Sequence, residues 1–419
     1  MELPINATEP RIMHIDLNSC FATLEQQASP HSRGKPLVVA AYDSPGGCVV
    51  APSIEAKRYG IKTGMSVRDA KILYPGVIVR TPSPVMYRDA HLKFKKIFQD
   101  YTPIVVPKSI DEAILDFSVI NTEVLFKKSL IDIAYEIKKR IRQEIGEWVS
   151  CNVGIGTNRF LAKTAAGLHK PDGLDVINYK NLESTYNSLT LIDLCGINTR
   201  FQARLNAYGI YTPLQFLHAP LQVLKKQVFQ SICGYYWFLR IRGWEIDELE
   251  FSRKSYGQSY ALGKKSADPK YLGSLLMKLT EKMGRRLRKA GKTARGIHIG
   301  CSYTDGSYWH KGKLFDKEMF TSEELYKKVM LVFNKQPEIK VVGKLAISCF
   351  DLADARIIQE SLFETDEDKK REVSKAMDKL NDRYGEYTVI PALMYGRERE
   401  VIDRIAFGGV KDLQDLYAG

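Results

Sequence analysis

Two apolar, strand-like runs in this chain end or break on carboxylates. Arg11-Ile-Met-His-Ile-Asp16 closes abruptly on an acid, and Ser109-Ile-Asp-Glu-Ala-Ile-Leu-Asp116 carries the adjacent pair Asp111-Glu112 inside an otherwise apolar stretch. A carboxylate held in a sheet without a partner is costly, so such groups pair with Lys or Arg or bind a cation. No basic residue follows Asp16 within three positions. Adjacent strand residues point to opposite faces, so Asp111 and Glu112 act together only where the backbone bends. Separate salt bridges and one shared cation site both fit the pattern. In the second reading, three hard oxygen ligands point to Mg2+. Two such ions, about 3.5–4 Å apart, would clamp the attacking and leaving oxygens of an in-line phosphoryl displacement.

Strands and helices alternate through the first half. Pro36–Ala41 reads as a second apolar strand leading into the turn Ser44-Pro-Gly-Gly47, and 53–74 as helix broken by Gly60 and Gly64. Tyr87, Phe94, Phe98 and Tyr101 fall near one helical face, and Leu130, Ile133, Ile137, Ile141 and Ile145 recur at three- and four-residue steps. A strand at Cys151–Ile155 feeds a helix starting near Asn158. This alternation predicts an α+β sheet domain. Residues 177–243 read instead as short helices. There, Leu194-Cys-Gly-Ile-Asn-Thr199 followed by Ala203–Gly209 has the shape of a helix-hairpin-helix, whose turn at Gly196 and Asn198 offers N–H groups to a phosphate. An ordinary helix–turn–helix corner fits equally. After a mixed-charge linker at 244–254, the pattern is strand–helix–strand–strand–helix–strand. Its first helix carries the apolar stripe Leu275, Leu279, Met283 and Leu287.

Charge is concentrated in that last unit. The chain of 419 residues has a formal charge of +13, and between Arg253 and Lys313 there are 15 Lys/Arg against 3 Asp/Glu. The remainder is nearly neutral, which excludes a uniformly basic chain and favours one polyanion-facing module. Apolar content of 44% is that of a globular protein, and no run of about 18 apolar residues offers a membrane span. The N-terminus lacks the pattern of a secretory signal, and the seven cysteines form no Cys-x-x-Cys pair. A soluble protein of a reducing cytoplasm, without membrane partners, is the expectation. Gly291-Lys-Thr293 imitates the end of a P-loop, but Arg286 stands where that motif needs its first glycine.

The motifs carry a family resemblance. Ile15-Asp-Leu-Asn-Ser-Cys-Phe-Ala-Thr-Leu-Glu25 resembles the first motif of the Y-family (translesion) DNA polymerases. Ser109–Asp116 is similar to their catalytic carboxylate motif, and Gly154–Lys163 with Lys170-Pro-Asp-Gly173 to their third signature. The hairpin falls at their thumb, the basic unit at their little finger, and Asp403-Arg-Ile-Ala-Phe-Gly408 resembles their usual ending. Asn18, Gly47–Ala51 and Glu55-Ala-Lys57 lean towards the UmuC-like branch.

The resemblance implies an α+β multidomain, right-hand polymerase: palm at 1–18 and 84–176, fingers at 19–83, thumb at 177–243, little finger at 255–353, and a C-terminal extension at 354–419. It makes Asp16, Asp111 and Glu112 the catalytic metal ligands, joined by the backbone carbonyl of Leu17, with two Mg2+ ions as cofactor and Mn2+ a substitute. Cys20 and Phe21 would turn backbone N–H groups to the triphosphate, with Phe21 the steric gate against a 2′-hydroxyl. Lys57 and Lys170 would contact the phosphates. The DinB-like branch has a Tyr and an Arg where this chain has Ile54 and Lys57, and a lysine gives a point charge where arginine gives a fork. Gly196, Asn198, Lys278, Lys282, Arg285, Arg286 and Arg295 would contact DNA. Gln359-Glu-Ser-Leu-Phe363 resembles a sliding-clamp peptide through Gln359, Leu362 and Phe363, though Leu362 and Phe363 fit a core as well. The implied reaction is low-fidelity, template-directed addition of deoxynucleotides to a primer, with primer–template DNA and deoxynucleoside triphosphates as partners. A catalytically inactive relative acting as a DNA-binding or recruitment subunit in DNA repair is the alternative.

Overall fold

The computed structural model describes residues 4–247, 253–355, 366–397 and 400–401, in two compact units of which the second begins beyond Leu249. In the first unit, β1 (Ile12–Leu17) runs into α1 (Cys20–Ala28). β2 (Leu37–Ala40), β3 (Val49–Pro52) and β4 (Ile78–Arg80) form a small sheet in the order β3-β2-β4, with α2 (Ile54–Arg58) and α3 (Val67–Leu73) between the last two. There follow α4 (Pro84–Gln99), β5 (Ile104–Pro107), β6 (Glu112–Asp116), α5 (Thr122–Phe126), α6 (Leu130–Glu144), β7 (Cys151–Gly156), α7 (Arg159–Leu168) and β8 (Leu174–Ile177).

The larger sheet has the order β5-β6-β1-β7-β8, so β1 is central and antiparallel to both neighbours. Both its faces are covered, which explains its nearly continuous apolar sequence. Met13, Ile15 and Leu17 enter the main core with Phe94 and Phe98 of α4 and Ile133, Ile137 and Ile141 of α6. Ile12 faces the other way, with Ile114 and Ala162 of α7. Strand alternation puts His14 and Asp16 on that second face. α6 starts in a capping box between Ser129 and Asp132, which satisfies N–H groups that a helix start leaves open.

The short helices are α8 (Leu182–Asn187), α9 (Thr199–Asn206), α10 (Pro213–His218) and α11 (Cys233–Arg240). They share a core in which Phe216, Phe229 and Trp237 meet Phe160 of α7.

The second unit contains β9 (Ser255–Ser266), α12 (Pro269–Lys289), β10 (Lys292–Tyr303), β11 (Tyr308–Met319), α13 (Ser322–Phe333) and β12 (Val342–Asp354). Its antiparallel sheet has the order β11-β10-β12-β9, the element sequence expected from the pattern. Leu275, Leu279, Met283 and Leu287 are fully buried against Ile297, Ile299 and Cys301. The C-terminal extension is not an appendage where it is described. α14 (Asp366–Tyr384) pairs with α12 through Asp378 and Arg288, and the Tyr271 hydroxyl donates to Glu400 at 2.6 Å. No helix among the described residues is long and apolar enough to cross a membrane.

Candidate active site

The register brings two of the three expected carboxylates into direct opposition. Asp16 lies across from Glu112 on β6 and from Asn152 on β7. Opposed residues of an antiparallel pair share a face, so Asp16 and Glu112 both face α7. Asp111 stands one residue before β6, where the Leu17 N–H donates to its carbonyl at 2.9 Å. Its carboxylate therefore emerges on the opposite side of the strand end, yet lines the same cleft as Asp16 and Leu17.

Each carboxylate already has a partner. Lys170 pairs with Asp16, the Ser109 hydroxyl donates to Asp111, and the Lys163 ammonium reaches both Glu112 oxygens at 3.0 and 2.8 Å. Burial lifts the Asp111 carboxyl above its ordinary range, the Ser109 hydrogen bond opposes this, and the charges of Asp16 and Glu112 add to the rise. His14 Nε2 lies 3.9 Å from Glu112, but burial, then Lys163, pushes its pKa down to about 3, so the contact is not an ion pair at neutral pH. Neither ring nitrogen of His14 has a hydrogen-bond partner.

Hard oxygens together with a desolvated, mutually repelling Asp111 suit a divalent cation. As the side chains stand, no three His, Cys, Asp or Glu groups among the described residues converge to hold one, and Glu112 is turned to Lys163. That lysine was missed in the sequence, although a signal existed. A Cβ on Gly154 would come within 2.0 Å of the Ala162 carbonyl, and one on Gly156 within 2.6 Å of the Ala162 nitrogen. The Gly-x-Gly pair lets α7 lie directly on the sheet and carries Lys163 to Glu112.

The cleft has a volume of about 540 Å3. One wall is the start of α1. Ser19 adopts a left-handed conformation (φ 50°) without a side-chain cap, so the N–H groups of Cys20 and Phe21 have no partner within the helix. The Ser19 hydroxyl is buried and also unpartnered. The helix dipole adds positive potential at this end. Lys57 and Lys170 line the same space, and burial followed by the charge of Lys170 lowers the pKa of Lys57. An anion between them would relieve both effects. The Phe21 ring borders the cleft while resting on Tyr87, and Ala51 and Ile54 supply apolar wall. Arg58 and Thr63 also line it, positions that no periodicity or motif singled out.

The groups expected to contact DNA are placed less simply. Gly196 does adopt φ +91°, but Asn198 is extended (φ −101°), and its side chain accepts from the N–H groups of Arg200 and Phe201 as the cap of α9. Two amides of that helix start are thereby already used. On α12, Lys278 is only 2% exposed and donates to the Arg397 carbonyl at 2.7 Å, with the Tyr387 ring 4.6 Å away. Lys282 also lies over Tyr387. Arg285 faces Asp378, Asp382 and Glu386, and Arg286 donates to the Gly257 carbonyl. Arg295 pairs with Asp351 at 2.7 Å. Lys278 and Arg285, both expected to contact DNA, are thus engaged in packing within the unit. α14 lies along that face of α12 and answers its charge from about a hundred residues downstream. Gln359, Leu362 and Phe363 lie outside the described residues.

Residues 15–167 match the model of the impB/mucB/samB family, and 253–362 match that family's C-terminal domain. DNA polymerase IV of Pelotomaculum thermopropionicum is 32% identical, over 91% of this chain and 94% of its own length. DNA polymerase IV of Moorella thermoacetica is 31% identical, over 90% and 94%. Among solved structures, a Y-family DNA polymerase chimera of Dbh and Dpo4 superimposes with a TM-score of 0.70 at 25% identity, covering 82% of this chain and 99% of its own. An insertion ternary complex of Dbh DNA polymerase, at 0.56 and 23% over the same shares, has the same fold. The mixed α/β first unit and separate C-terminal unit are a right-hand polymerase layout. The chain belongs to the impB/mucB/samB family, the Y-family of translesion DNA polymerases.

Proposed function

We propose that Asp16, Asp111 and Glu112, with the Leu17 carbonyl, hold two Mg2+ ions, or Mn2+ in their place, for adding deoxynucleotides to a primer 3′-hydroxyl opposite a template. The observation that carries this reading is one cleft lined by Asp16 and Asp111 together with Lys57 and Lys170. Hard anionic oxygens suit divalent cations, and paired ammonium groups suit a triphosphate.

Bound Mg2+ would supply Lewis-acid charge, easing loss of the primer hydroxyl's proton and stabilising the departing pyrophosphate. The remaining work falls to the chain itself. Lys57, Lys170 and the N–H groups of Cys20 and Phe21 neutralise and orient the triphosphate. Lys170 exchanges Asp16 for a phosphate oxygen as the nucleotide enters. Phe21 lies under the sugar and excludes a 2′-hydroxyl, while Ala51 and Ile54 cover the nascent base pair. Lys163 keeps Glu112 oriented. Lys282, Arg286, Arg295 and the turn at Gly196 contact phosphates of the primer–template. The Gln359–Phe363 peptide docks on a sliding clamp, and the protein works in the cytoplasm at the nucleoid.

Primer extension with Mg2+ tests the reading. The wild type is expected to extend, and Asp111→Ala with Glu112→Ala to abolish extension while DNA binding persists. A wild type inactive with every divalent metal tried would leave the reading of an inactive DNA-binding relative, against which the retention of all three carboxylates argues.

A further inference from the structure

On the face of the second unit's sheet that α12 and α13 do not cover, two histidines converge. His298 Nε2 of β10 lies 3.2 Å from His310 Nδ1 of β11. The register explains how they meet. His298 stands opposite Gly312, and His310 opposite Gly300, so each imidazole has a glycine across the ladder. A Cβ on Gly312 would come within 3.4 Å of the His298 ring, so a larger residue there would crowd it. Tyr308 stacks on the His310 ring with centroids 5.4 Å apart. The neighbours sharing this face on β10 and β12 are Gly296, Ser302, Ala346 and Ser348, with Phe350 across from Gly296 and Lys344 across from Ser302. Lys311 and Lys313 pair with Ile299 and Ile297 and so belong to the opposite face.

We propose that His298 Nε2 and His310 Nδ1 form a two-imidazole site for a late first-row divalent cation: Zn2+, Ni2+ or Cu2+. Imidazole nitrogen is a preferred donor for these ions, whereas Mg2+ prefers oxygen. With metal–nitrogen distances of about 2.0–2.1 Å, a 3.2 Å separation of the two nitrogens subtends about 100–106° at the ion, near the tetrahedral angle. The two nitrogens face each other almost in line, so each ring turns by roughly 40° to aim its lone pair at the ion, a rotation open to side chains on this uncovered face. Burial and the neighbouring His310 also hold the His298 pKa below its ordinary value, which leaves its lone pair available at neutral pH.

The exchange balances without an added reactant. The two facing nitrogens share one proton in their hydrogen bond. On binding, both lone pairs go to the ion, and that proton moves by tautomerisation to the outer nitrogen of the ring that carried it. Coordination staples β10 to β11 and leaves the ion's other positions open to water. The site is independent of the carboxylate cleft and of the polymerase reading.

Calorimetric titration of the untagged full chain with Ni2+, in a large excess of Mg2+ to occupy the carboxylates, provides the test. One equivalent is expected to bind the wild type, and binding is expected to weaken at least about tenfold in His298→Gln and in His310→Gln, since each removes half of the ligand set. Both side chains lie on the open face, so ion-free melting curves of the variants should match the wild type, separating lost ligands from lost folding. Electron paramagnetic resonance of the Cu2+-loaded wild type should show coupling to two imidazole nitrogens, a readout independent of any variant. No Ni2+ binding, wild-type affinity retained in both variants, or a Cu2+ spectrum with oxygen ligands alone would each overturn the proposal.

Discussion

The Phe21 ring lies parallel to that of Tyr87, with centroids 4.5 Å apart and planes 13° from coplanar, and the Tyr87 hydroxyl is anchored by donating to Glu25 at 2.6 Å. A ring backed in this way cannot retreat when a bulkier sugar presses on it, so sugar discrimination should depend on the brace as well as the gate. Phe21→Ala is expected to raise ribonucleotide incorporation on the order of 10- to 100-fold relative to deoxynucleotide use. Tyr87→Ala should give a smaller change in the same direction. Single-nucleotide incorporation with matched ribo- and deoxynucleotides measures both. Unchanged discrimination in Phe21→Ala would remove the gate.

How much of this could be read beforehand depends on the range of the interaction. Asp16 and Asp111-Glu112 announce themselves because a carboxylate in an apolar strand is a local anomaly. The stripe Leu275, Leu279, Met283 and Leu287 is likewise local, and the structure buries all four. The partners of the remaining α12 residues are not local. Periodicity assigns Lys278 and Arg285 to the polar side of a helix, and a polar side is ordinarily wet. Here it meets α14 and the segment around Tyr387, about a hundred residues on. Lys163 escaped for the same reason, since its approach to Glu112 depends on how closely α7 can lie on β7. Asn198 reads as part of a phosphate-facing turn, whereas its side-chain oxygen has the stronger use as a cap.

The pairing of Arg288 with Asp378 bears on stability. The guanidinium meets Asp378 through two hydrogen bonds, of 2.6 and 2.9 Å, and also approaches Glu281 at 3.4 Å. Removing one partner of a buried pair leaves the other charge uncompensated, at a cost of about 3–5 kcal/mol. Glu281 remains and Asp378 is partly exposed, so Asp378→Ala is expected to cost about 2–3 kcal/mol. The shift in the urea midpoint of the second unit's transition measures it. Loss below the range of a surface pair would mean that α14 contributes little to holding α12.

Acid should weaken the first unit through His14. Its folded pKa of about 3 lies below the ordinary value of 6.5. Between those values the unfolded chain binds a proton that the folded chain refuses, so stability falls as pH falls. The slope is about 1.4 kcal/mol per pH unit, or about 2 kcal/mol between pH 6.5 and 5. His91, whose pKa burial also lowers, adds in the same direction. Because neither nitrogen of His14 is hydrogen-bonded, His14→Phe removes the titration without leaving a polar group unsatisfied. Urea unfolding at pH 7 and pH 5 should show a flatter dependence in that variant, and parallel slopes would count against the assignment.

Two glycines of the same signature should respond in opposite senses to one methyl group. At Gly154 the added Cβ would stand 2.0 Å from the Ala162 carbonyl and 2.2 Å from the Ala166 nitrogen, both backbone atoms that cannot turn aside. Gly154→Ala must therefore push α7 off the sheet, at an expected cost of about 3 kcal/mol or more. Gly167, on the exposed side near the end of α7, has nothing within 4 Å of its Cβ position. Gly167→Ala should stabilise by up to about 1 kcal/mol through helix propensity alone. Moving α7 also draws Lys163 away from Glu112, so primer extension should fall in Gly154→Ala under conditions where it remains folded, and stay unchanged in Gly167→Ala. Equal stability and activity in the two variants would break the link between this close packing and the orientation of Glu112.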